Sequence, residues 1–68
     1  MSQTREILEY MQKGNSITPL EALRKFGCMR LAARIADIKD MGYEVVMSIE
    51  TDDNGKRYGI YWLKDYGK

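Results

Sequence analysis

Sixty-eight residues with a formal net charge of +1 make one small domain, residues 1–68, that buries only about 60% of the surface its unfolded chain exposes. The single cysteine, Cys28, and the lack of any histidine exclude an internal disulfide and a zinc site, and the lone thiol suits a reducing, cytoplasmic setting. With no long apolar run and no signal-like start, neither a membrane span nor export is expected, and no cofactor or small-molecule ligand is implied.

Taken in chain order, "TREILEYMQKG" carries Ile7, Leu8 and Met11 on one helical stripe and stops at Gly14. This spacing predicts a first helix over residues 3–13. "NSI" follows as a short extended link with Ile17 as its apolar side chain. "TPLE" then marks a second helix start: Thr18 as N-cap, Pro19 at the first helical position, Glu21 closing a capping box. Leu20, Leu23 and Phe26 are expected to point inward, and Gly27 to supply a left-handed exit. After "GCM" the chain restarts at Arg30 as "RLAARIADIKDM". Leu31, Ile35 and Ile38 form the buried stripe of this third helix, which ends at Gly42.

Beyond Gly42 the period changes from 3.6 to 2. "YEVVMSIET" and "KRYGIYWLK" read as two strands around "DDNG", and Asn54-Gly55 signals a two-residue type I′ turn. That turn would set Asp53 opposite Lys56, Ile49 opposite Ile60 and Met47 opposite Trp62. Val45, Met47, Ile49, Tyr58, Ile60 and Trp62 would then face the core. The same register puts Val46, Ser48, Tyr61 and Leu63 on the opposite face. That patch is either covered by the chain end or the first helix, or it serves as a dimer or protein interface.

Helix, short strand, helix, tight turn, helix and hairpin, in that order, make an α+β winged helix-turn-helix, with the third helix as the presented element and the hairpin tip as the wing. The stretch Ile17 to Val45, "ITPLEALRKFGCMRLAARIADIKDMGYEV", also resembles a family of small winged helix-turn-helix domains common in bacteriophages and prophages. Their pattern is similar to "TPLEAL..FG..RLAARI..L...GY.I", with Ile38 standing where Leu is more usual. The resemblance implies a DNA-binding type of domain in a phage or mobile-element setting. It leaves open whether the role is that of a repressor, an excisionase-like architectural protein or an inhibitor that binds another protein.

Candidate DNA contacts follow from residue types. On a helical wheel Arg30, Ala33, Arg34 and Asp37 share a flank away from the buried stripe. Two guanidinium forks one turn apart suit guanine edges or phosphates, and Ala33 allows close approach. Met29 precedes them, Lys56 and Arg57 follow the wing tip, and Thr18 and Lys25 are further candidates at the phosphate backbone. Each has a plainer reading. Arg34 can pair with Asp37 at i, i+3, Thr18 can simply cap, and Lys25 can favour the helix C-terminal dipole. Asp37 and Asp40 would repel phosphates, so the helix should enter a groove by its N-terminal half.

Cys28 reads as structural rather than as a redox switch, since it has no second thiol. The aromatic residues of the hairpin read as core rather than as a stacking platform. No enzyme constellation is present. Double-stranded DNA is therefore the expected partner, with a homodimer as a further expectation and a host protein as the alternative, which the near-neutral charge and the acidic wing tip keep open.

Overall fold

The structure, a computed structural model, describes residues 2–66. Its first helix, α1 (Gln3–Gln12), begins where the Ser2 hydroxyl accepts the Arg5 N–H at 3.2 Å, satisfying one of the orphan donors of the first turn. Ile7, Leu8 and Met11 are buried along one side of α1. The helix gives way to Gly14, whose φ of +90° is open to glycine and strained for other residues. A Cβ there would also sit 3.1 Å from the Tyr66 carbonyl, so the chain end packs against this turn.

The second helix, α2 (Pro19–Phe26), starts on the expected capping box: the Thr18 hydroxyl accepts the Glu21 N–H at 3.2 Å, and the Glu21 carboxylate accepts the Thr18 N–H at 3.1 Å. Its exit is equally well made. Gly27 adopts φ +65°, its N–H reaches the Leu23 carbonyl, and the Cys28 N–H reaches the Ala22 carbonyl. The bond from the Gly27 N–H to the Leu23 carbonyl is that of the left-handed αL exit, and Ala22 and Cys28 beside it are both buried in the core. Cys28 is thus a structural plug at the corner.

The inward face of α2 differs from expectation. Ala22 is its buried residue and Phe26 is half-buried, whereas Leu20 and Leu23 are 54% and 47% exposed. Phe26 meets Tyr10 of α1 edge to face at a centroid distance of 5.6 Å. The small side chain of Ala22 lets the helix backbone approach the core, and that approach turns the two leucines outward.

The third helix, α3 (Leu31–Asp40), buries Leu31, Ile35 and Ile38 as the spacing predicts. Arg30 is not its first turn but its N-cap, at φ −131° and ψ 65°, with no side-chain cap.

Strands β1 (Val45–Thr51) and β2 (Arg57–Leu63) pair antiparallel, and Ile17 bridges the far edge of β2 through two bonds with Tyr61, at 2.8 and 2.9 Å. The register is one residue away from that expected: Val45 faces Leu63, Met47 faces Tyr61, Ile49 faces Gly59 and Thr51 faces Arg57. The cause is Asp52. Its carboxylate accepts the N–H groups of Asn54 and Lys56, both at 2.9 Å, while its own N–H donates to the Lys56 carbonyl. This closes a three-residue loop with Gly55 left-handed at φ +81°, displacing the two-residue Asn-Gly turn.

A one-residue slip exchanges faces. Leu63 is therefore fully buried and Tyr61 packs against the core. Of the six residues expected on the core face, Val45 packs there, and Met47 and Ile49 share that face farther along, where they are half exposed. Tyr58, Ile60 and Trp62 lie on the other side with Val46 and Ser48. Val46, Ser48, Tyr61 and Leu63 consequently do not form one surface. The core joins α1, Ile17, α3 and Leu63. The described residues form three helices followed by a hairpin, the winged helix-turn-helix arrangement. Among the described residues no helix is long and apolar enough to cross a membrane.

Candidate nucleic-acid interface

What α3 offers to solvent depends on which of its flanks α1 covers. The Thr4 hydroxyl of α1 donates to Asp37 Oδ2 at 3.1 Å, and Arg34 Nε lies 3.1 Å from the same oxygen. The Arg34 contact is an ion pair without a well-aimed N–H, because Nε is enclosed yet makes no hydrogen bond. Ala33, Arg34 and Asp37 are all half-buried. The flank chosen from the wheel is therefore the one turned toward α1, and Arg34 is held there.

The exposed side of α3 is instead Ala32, Ala36, Lys39 and Asp40, continued before the helix by Met29, 86% exposed, and by exposed Arg30. Ala32 and Ala36 are one turn apart and share a face. Two methyl groups in the middle of a helix face permit a close backbone approach to a groove floor. Lys39 stands in the last turn of this face, and Arg30, the N-cap, is exposed ahead of the first turn. Ala32, Ala36 and Lys39 were missed because a wheel centred on Leu31, Ile35 and Ile38 leaves two flanks open, and only packing by α1 chooses between them. One local signal was legible, the i, i+3 pairing of Arg34 with Asp37.

The remaining candidates divide by position. Lys56 and Arg57 are exposed on the wing. They line an open cleft together with Thr18, Pro19, Leu20 and Tyr58, so the start of α2 and the wing cations share one channel. Thr18 reaches that channel with its hydroxyl engaged by the cap. At the wing tip the Asp52 carboxylate accepts two backbone N–H groups, and its negative charge stays beside Lys56 and Arg57. Lys25 stands apart: its Nζ lies over the Tyr10 ring, 5.7 Å from the centroid, a cation–π contact on the α1 side of α2.

A family model described as a winged helix-turn-helix domain matches residues 2–66. No curated protein and no solved structure matches the chain.

Proposed function

Since this chain belongs to the winged helix-turn-helix domain family, we propose that it binds double-stranded DNA. In this reading the exposed face of α3 enters the major groove, and the protein acts as a small phage or mobile-element transcriptional regulator or architectural factor. One observation carries the reading: the solvent face of α3 has alanines at its centre and Lys39 in its last turn, with the exposed N-cap Arg30 just ahead of the helix. Ala32 and Ala36 bring the helix axis close to the base edges. Arg30, at the leading end, reaches guanine O6 and N7 or a phosphate. Lys39 meets the backbone at the trailing end, Lys56 and Arg57 meet it from the wing, and each such contact contributes through counterion release. Asp40, beside Lys39, disfavours deep insertion of the trailing turn.

The test is anisotropy of labelled duplexes drawn from DNA beside the coding region, titrated with salt. Binding that weakens steeply with salt and is lost in Arg30→Ala with Lys39→Ala supports the reading.

A second reading has its own observation. Met29, Ala32 and Ala36 make the centre of the same face uncharged, which also suits a host protein partner, with the domain acting as an inhibitor of that partner. Salt-insensitive activity that survives the double alanine variant but not Met29→Asp would favour it.

A further inference from the structure

The outer edge of β1 is an unpaired template. Tyr61 spends both its N–H and its C=O on Ile17, so Met47↔Tyr61 is one of the wide pairs of the hairpin. By the two-residue alternation of an antiparallel ladder, Val45, Met47, Ile49 and Thr51 direct their N–H and C=O groups away from β2. Among the described residues none of these groups meets a backbone partner. Protection of this edge is slight: "VVMSIET" holds no Lys and no Pro, Glu50 is its one charge, and its pairing runs without a bulge from Val45 to Thr51. Two large apolar side chains, Met47 and Ile49, stand half exposed on it, at 51% and 47%.

We propose that β1 is the homodimerisation edge of this protein, pairing antiparallel with β1 of a second copy about a two-fold axis through Ser48. The occupant and the register follow from the strand itself. Centring on Ser48 sets Val45 against Thr51 and Met47 against Ile49 of the other copy. All four outward-facing residues of each strand then find partners, eight backbone bonds in all by the rule of two per narrow pair. Centring on Met47 or Ile49 leaves outward groups of the strand ends unpaired. In the Ser48 register the two apolar side chains cover one another twice across the axis. Glu44 falls opposite Asp52 there, a like-charge contact at each end of the pairing that Lys64, 3.4 Å from Glu44, offsets in part. An isologous contact of this kind closes at two copies and leaves no free β1 edge.

The experiment uses the full chain without DNA, by sedimentation equilibrium from micromolar to several hundred micromolar. The expected result is twice the chain mass at the upper end. Met47→Lys with Ile49→Lys puts like charges face to face in that register, and it should return the protein to monomer with an unchanged circular dichroism spectrum. Met47→Glu with Ile49→Lys sets opposite charges face to face, and it should restore the dimer. Ser48→Cys should form a covalent dimer on mild oxidation, since residues facing across a wide pair sit within disulfide reach. Glu50→Cys, facing Val46, should not, and Cys28 is buried and does not compete. Monomer mass at every concentration overturns the proposal. So does a dimer that survives the double lysine change, or crosslinking through residue 50 in preference to residue 48.

Discussion

The Thr4 hydroxyl and the Asp37 carboxylate, 3.1 Å apart across two helices, mark the flank of α3 that α1 covers. Arg34 shares that carboxylate. Arg34→Ala should therefore cost DNA affinity little, less than about threefold, and should alter stability by less than about 1 kcal/mol, as for other partly solvated pairs. Arg30→Ala, at the open end of the face, should cost about 1–3 kcal/mol of binding if it reads a base. Anisotropy on the two variants ranks them. A larger loss for Arg34 would place the wrong flank in the groove.

The hairpin register predicts stability losses of different size at two positions of the sheet. Leu63 is 1% exposed and lies in the core, so Leu63→Ala should cost about 2–5 kcal/mol. Met47, across from Tyr61 and half exposed, should cost under about 1 kcal/mol when replaced by Ala. Urea unfolding of both variants measures this. Comparable losses at the two sites would contradict the pairing.

Much of the fold was legible because its signals are local. Thr18, Pro19 and Glu21 sit within one turn of chain, and Gly27 stops α2 by a conformation only its own backbone needs. Leu31, Ile35 and Ile38 repeat at a spacing that tertiary packing merely accepts. Three features were not legible for the converse reason. The hairpin register hinged on whether the Asp52 side chain would capture two N–H groups, against an Asn54-Gly55 pair that favours a shorter turn. Leu20 and Leu23 were expected inside, but α2 is short and lies close through Ala22. The open flank of α3 depends on α1, which joins it through Thr4 from thirty-three residues away.

The wing turn should be sensitive to Asp52. Asp52→Ala removes the acceptor of two N–H bonds and should destabilise the hairpin by about 1–2 kcal/mol. Asp52→Asn, which keeps an acceptor oxygen, should retain most of that. Gly55→Ala at φ +81° should cost about 1–2 kcal/mol. Thermal melts resolve these changes, since 1 kcal/mol shifts the midpoint of a domain this size by about 4–8 °C. An unaltered melt for Asp52→Ala would show that the side chain does not hold the turn.

Thr18 separates capping from contact. Thr18→Ala should lower stability by about 1 kcal/mol through loss of the box. Thr18→Asp keeps a capping oxygen and should melt close to the unaltered protein, while adding a negative charge to the channel that Lys56 and Arg57 line. If a phosphate passes through that channel, duplex affinity should fall several-fold in Thr18→Asp alone. Equal affinities for the aspartate variant and the unaltered protein would remove the channel from the DNA path.

Ala36→Glu tests the central claim most directly. Position 36 is exposed on α3, and Glu suits a helix almost as well as Ala, so folding should be untouched by circular dichroism and melting. With the α3 face in a groove, a carboxylate there meets the phosphates and the base edges. The expected result of salt-titrated anisotropy is loss of duplex binding by at least tenfold at every salt concentration where the unaltered protein binds. Undiminished binding by a well-folded Ala36→Glu protein would contradict docking through this face.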